Sequence, residues 1–154
     1  MQSPHTTPQT RFAELELDAW RGFLRTHSML VRELDEELTE RHGLPLSSYD
    51  VLVQLDESPE GRLRMSNLAD AVLLSRSGLS RLVTRLEKQG LLEREECPSD
   101  ARGAFAAITD EGRARLAEAQ ATHREGVRER FLDKLTEREQ RQLARVWSRL
   151  LDPR

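Results

Sequence analysis

Apolar side chains recur at three- and four-residue intervals along most of this chain, the pattern of helices that lay one face on a core. In the first run Phe12, Leu15, Ala19, Phe23, Leu30, Leu34 and Leu38 predict a helix from about Arg11 to Arg41, and Leu17, Trp20, Leu24 and Val31 widen its apolar face. At ~1.5 Å per residue such a helix is ~45 Å long. A small domain does not cover that length, so part of the face is expected to meet another subunit. Gly43 and Pro45 end the helix. Ser47, Ser48, Tyr49 and Asp50 then offer an N-cap for a second, which runs through Val51, Leu52 and Leu55 to about Glu57 and stops at the turn Ser58-Pro59-Glu60-Gly61.

The middle of the chain changes character. Arg62 to Met65 reads as a short edge strand leading to Ser66, which is expected to cap a short helix, and Ser75 is expected to cap the next. Gly90 stands where a helix closes in a left-handed conformation. Leu91 to Glu96 then reads as a strand, Pro98-Ser99-Asp100 as a bend, and Gly103 to Ile108 as the returning strand. Thr109 is expected to cap another long helix carrying Leu116, Ala119, His123, Val127 and Phe131. Thr136 and Glu139 form a capping box for the last helix, which presents Leu143, Val146, Trp147 and Leu150. The first ten residues, MQSPHTTPQT, are polar with two prolines and are expected to form a disordered tail.

Residues 66 to 102, SNLADAVLLSRSGLSRLVTRLEKQGLLEREECPSDAR, therefore hold two short helices joined by a tight turn, then a strand and a charged loop. That is the layout of a winged helix-turn-helix. In the second of these helices Leu79, Leu82, Val83 and Leu86 make one inward stripe. The opposite face holds Ser77, Arg81, Thr84 and Lys88, with Ser80 and Arg85 beside it, groups that bond base edges and phosphates. An ordinary solvated face would mix charges; this one carries no acid, since Glu87 lies to one side. Gly78 costs roughly 1 kcal/mol relative to alanine inside a helix, which suggests a close approach to DNA or to a neighbouring helix.

Composition sharpens this picture. With 37% hydrophobic and 33% charged residues in 154, the chain suits one compact domain with elongated helices whose apolar faces need a partner. The net charge is −3, yet residues 62 to 102 carry eight basic and six acidic side chains, a local +2 against −5 over the remainder. Placement of charge, not its total, would then serve DNA binding. The single cysteine, Cys97, rules out an intrachain disulfide, and no apolar run approaches the ~20 residues that span a bilayer, so no membrane partner and a cytoplasmic location are expected. An enzyme finds little support. His5, His27, His42 and His123 are scattered without metal-binding spacing, no phosphate-binding glycine loop is present, and no cofactor is implied.

The order of elements, together with SRLVTRLEKQGLLERE at 80 to 95, Asp100-Ala101-Arg102 and ITDEG at 108 to 112, resembles the MarR family of bacterial transcription regulators over residues 12 to 151. The resemblance implies a mainly α fold with a small β-wing. Residues 11 to 154 would form a single domain, with 11 to 41 and 109 to 151 as N- and C-terminal dimerisation helices around a winged helix-turn-helix at 47 to 108. It implies a homodimer on a palindromic operator in double-stranded DNA, acting as a repressor, with half-sites about one helical turn apart. DNA-contacting positions are then Ser66, Ser75, Arg76, Ser77, Ser80, Arg81, Thr84, Arg85 and Lys88, with Arg102 reaching into the minor groove and Asp100 holding the wing. Glu95 and Glu96, where relatives are often basic, and Ala101 depart from the pattern and would weaken the wing's hold.

The resemblance also implies release by a small aromatic or phenolic effector. Trp20 and His27, a heptad apart, with Asp70, are the candidate ligand residues, set against the plainer reading of Trp20 as core. Cys97 is a candidate redox sensor, although Glu95 and Glu96 disfavour its thiolate and favour a passive role. The rival function is a winged-helix architectural or protein-interaction module without ligand response, which would show a small specificity ratio on DNA.

Overall fold

The computed structural model describes residues 11–72, 74–96 and 103–152. Helix α1 spans Glu14–His42, α2 Leu46–Asp56, β1 Arg62–Arg64, α3 Met65–Ala71 and α4 Arg76–Lys88; β2 spans Leu92–Glu96, β3 Ala104–Ile108, α5 Asp110–Arg130 and α6 Glu137–Leu151. Single 3-10 turns at Pro59–Gly61 and Leu132–Lys134 precede β1 and α6. The fold is thus mainly α with a small β-wing. The central strand is β3, antiparallel to β1 on one side and β2 on the other, with Leu63 and Arg94 both opposite Ala106.

The core gathers where α2, α3, α4 and the sheet meet the first half of α5. Leu38, Leu52, Leu68, Leu86, Ala106 and Leu116 are among its fully buried side chains. Two glycines make close packing possible. A Cβ on Gly112 would stand 2.0 Å from the Leu91 carbonyl oxygen, so the first turn of α5 can lie against the chain leaving α4 only because that position has no side chain. Thr109 adds to the same junction. Its Oγ1 accepts from the Gly112 N–H at 3.0 Å, capping α5, and donates to the Gly90 carbonyl at 2.6 Å. Further along α5, a Cβ on Gly126 would come within 2.8 Å of Leu34 on α1.

Side-chain caps set the starts of α4, α5 and α6, and two expected caps are corrected. Thr136 and Glu139 form the capping box of α6, and Ser75 caps α4. The serines before α2 do not cap it: the helix starts at Leu46, whose N–H donates to Asp35 Oδ1 of α1 at 2.8 Å. A carboxylate brought by tertiary packing replaces the local hydroxyl, and Ser48 is buried instead. Likewise Ser66 sits inside the first turn of α3, which begins at Met65 behind an uncapped Arg64. At the other end of α4, Gly90 has φ +74°, its N–H bonds the Glu87 carbonyl at 2.9 Å, and Leu91 bonds the Leu86 carbonyl at 3.0 Å. This paired closure turns the chain sharply into β2.

The long helix behaves as its length requires. Leu34 and Leu38 are buried against the body, whereas Phe12, Leu15, Trp20, Phe23, Leu24 and Val31 are exposed. Helix α6 buries none of its residues, and Leu150 and Leu151 are exposed at its end.

Candidate nucleic-acid interface

The helix pair that would read DNA is set by the core. Leu79, Leu82, Val83 and Leu86 are buried and pin α4 through one stripe. The other face then has no choice but to point outward. Ser77, Ser80, Arg81, Arg85 and Lys88 are exposed along it, as are Ser75 and Arg76 at its start and Ser66 on α3. Cations face outward from the body along two turns, and Arg85 and Lys88 also complement the negative end of the helix dipole.

The start of α4 is held by a small hydroxyl network. Ser75 Oγ accepts from the Gly78 N–H at 3.1 Å and lies 3.3 Å from Ser77 Oγ. Gly78 owes nothing to a neighbouring helix: a Cβ there would meet the capping Ser75 Oγ at 3.0 Å and no side chain of another element among the described residues.

Thr84 engages its hydroxyl within the protein. It is half-buried; its Oγ1 donates to the Ser80 carbonyl at 2.9 Å and accepts from Arg94 Nη2 at 2.8 Å. The same Arg94 nitrogen donates to the Ser80 carbonyl at 3.0 Å. Sequence reading passed over Arg94, although strand alternation was the available signal. Leu92 and Arg94 lie on one side of β2, and Leu92 is buried, so Arg94 faces α4 as well. Arg64, Ser66, Arg76, Ser80 and Arg94 line a groove of about 470 Å³ between α3, α4 and the base of the wing.

The outer face of the sheet softens one expected departure. Arg62 on β1 reaches over β3 to Glu95 on β2 (Nη1 to Oε2, 3.1 Å) and also pairs with Glu60 at 2.8 Å. Between them lies Phe105, with the Arg62 and Arg64 guanidinium carbons 5.4 and 5.1 Å from its ring centroid. The Glu95 charge is therefore met within the protein. The wing positions Asp100 and Arg102, and the candidate redox residue Cys97, lie outside the described residues.

The candidate ligand residues separate. Trp20 and His27 are joined through Phe23, whose ring centroid is 6.0 Å from Trp20 and 6.2 Å from His27, and Trp147 of α6 joins the group at 5.6 Å from Phe23. Asp70 lies exposed on α3 and makes no hydrogen bond or ion pair with either. Trp20 is not core within the chain, being 54% exposed. A second aromatic contact was not foreseen: Tyr49 of α2 stacks on His123 of α5 with centroids 4.6 Å apart. Burial pushes the His123 imidazole below its ordinary value, against the opposing charge of Asp50, and burial raises the Tyr49 phenol and the Asp50 carboxyl.

Among the described residues no group of three His, Cys, Asp or Glu side chains could hold a metal ion, and no helix is long and apolar enough to cross a membrane.

Comparison with known proteins agrees with this architecture. A family model described as MarR family matches residues 42–103. The HTH-type transcriptional repressor MdtR of Bacillus subtilis is 30% identical over 114 residues, 74% of this chain and 72% of that protein. The solved structure of Sco3205, a MarR family transcriptional regulator from Streptomyces coelicolor in complex with DNA, is 40% identical with a TM-score of 0.85, covering 93% of this chain and 92% of the other. CouR from Rhodococcus jostii RHA1, solved bound to p-coumaroyl-CoA, is 27% identical with a TM-score of 0.77, over 93% and 98% of the two chains.

Proposed function

The chain belongs to the MarR family of transcriptional regulators, and from that premise we propose that it works in the cytoplasm as a homodimeric repressor on a palindromic DNA operator. The observation that carries this reading is the outer face of α4, where Ser77, Ser80, Arg81, Arg85 and Lys88 stand exposed on a helix fixed by four buried residues behind it. Arg81 is the base reader, donating a pair of hydrogen bonds to a guanine. Ser77 and Ser80 flank it, while Ser66, Ser75, Arg76, Arg85 and Lys88 hold phosphates. Arg102 and Asp100 are carried as the minor-groove and wing-holding residues on the family resemblance alone. Thr84 supports the helix from within. The repressor name of the Bacillus subtilis relative and the DNA in the Streptomyces coelicolor structure support the same reading.

A DNA duplex selected from a random pool, compared with a scrambled duplex by fluorescence anisotropy across a salt series, tests it. Tight binding to the selected duplex alone, two protomers per site and a steep salt slope are expected. Equal, weak binding to both would favour the architectural module instead.

Response to an aromatic or phenolic effector is a second element of the proposal. The Trp20, Phe23, His27 and Trp147 cluster offers stacking surface, and a relative of this fold was solved with p-coumaroyl-CoA. Isothermal titration against a panel of aromatic carboxylates and phenolates tests it; silence across the panel would remove the effector from the proposal.

A further inference from the structure

We propose that Arg94, on the strand that enters the wing, is a positioning residue that sets the register of the recognition helix on DNA. The inference rests on the DNA-binding reading above. Its basis is the forked contact of one guanidinium nitrogen with the Ser80 carbonyl at 3.0 Å and Thr84 Oγ1 at 2.8 Å. Those two residues straddle Arg81, the proposed base reader. The Thr84 hydroxyl donates in turn to the Ser80 carbonyl at 2.9 Å, so three groups close a ring on the middle turn of α4.

Geometry gives this ring a task beyond stability. A hydroxyl returned to the carbonyl four residues back tends to bend a helix, and a cation on that carbonyl pulls the same way. Bend and rotation at Ser80 and Thr84 decide where the Arg81 side chain emerges. Arg94 reaches them from β2, fourteen residues on, and its own N–H bonds Glu87 Oε1 at 3.4 Å. Helix and wing are thereby clamped as one reading head, and a shift of the wing is transmitted to the base-reading turn. Arg94 is exposed, so the rival role is an ordinary phosphate contact, which makes a different prediction.

The test compares the full-length protein with Arg94→Ala, Arg94→Lys and Thr84→Val, measuring base preference by selection from a random duplex pool, affinity across salt, and melting temperature. Expected are a loss of about tenfold or more in discrimination at the base pairs nearest Arg81, the same positions affected in Arg94→Ala and Thr84→Val, and a double variant no worse than Arg94→Ala. Arg94→Lys should keep the salt slope but not the preference. Should Arg94→Ala fail to fold, Thr84→Val, which keeps the β-branched shape, carries the comparison. A loss equal on all duplexes with the salt slope lower by about one would make Arg94 a phosphate contact and overturn the inference. A lower melting temperature with unchanged base preference would overturn it too. If the unaltered protein selects no sequence, the DNA-binding reading itself falls, and the inference with it.

Discussion

At the scale of single residues, the most demanding position is Gly112 in the ITDEG segment. A methyl group there would overlap the Leu91 carbonyl and also crowd Ile108 Cγ1 at 2.9 Å, and the obstacle is backbone, which cannot rotate aside. Gly112→Ala is therefore expected to lower stability by about 1–3 kcal/mol despite alanine's better helix propensity. Denaturant unfolding checks this, and a variant as stable as the parent would show that α5 can slide off the Leu91 carbonyl at no cost. Arg81 answers to a different measurement. Arg81→Ala should cost about 1–3 kcal/mol of binding and relax preference at one base step; a loss that is equal on every duplex would reassign it to a phosphate. The same scale shows what could be read in advance. Ser75, Thr109 and Thr136 announced themselves as caps because the groups they satisfy lie three residues away in sequence. The cap of α2 did not, since Asp35 sits eleven residues earlier and only folding brings it to Leu46.

At the scale of elements, periodicity was the reliable guide. The inward stripe of α4 and the closure at Gly90 follow from spacing alone, because both are local consequences of helical geometry. The partners of Thr84 were not legible for a reason of the same kind. Angular position places it on the outer face, but a long arginine from the adjacent strand covers it, and helical geometry holds no information about that neighbour. The Tyr49 and His123 stack between α2 and α5 was equally silent, and it carries a pH dependence. Burial depresses the His123 value below about 6.5 in the folded chain, so as pH falls past that value the unfolded chain takes up more protons than the folded one. Stability is then full above about 6.5 and declines below it, levelling once the pH passes the folded value. Burial raises the Asp50 carboxyl from its ordinary 3.8, and its charge works against the His123 shift. Melting curves of the parent and His123→Phe, which keeps a ring for Tyr49, should converge above that range and separate in mild acid, with the parent losing more. Parallel curves would mean that His123 titrates as it does in the unfolded chain.

At the scale of the whole molecule, the buried core and the exposed apolar side chains belong to different parts of the chain. Among the described residues every fully buried side chain belongs to the winged half or to the parts of α1 and α5 that rest on it, while Leu15, Trp20, Phe23, Leu24 and Val31 of α1 and Leu150 and Leu151 of α6 are in contact with solvent. Phe23 and Trp147 touch, so the two helices meet at that aromatic contact. Large apolar side chains exposed together suit an interaction surface, and an interface between two copies through these faces of α1 and α6 is what the proposed homodimer requires. It also fixes the expected behaviour of a variant. Replacing Phe23 and Trp147 together by glutamate adds charge where the second copy would sit and touches none of the buried core, so each protomer should keep its helical content and cooperative unfolding while sedimenting as a monomer. Its affinity for a full palindrome should fall towards that for a single half-site, because the two recognition helices are no longer joined and the second contact ceases to be intramolecular. A double variant that still sediments as a dimer and binds the palindrome as the parent does would place the dimer contact elsewhere and leave the exposed aromatic face to some other task.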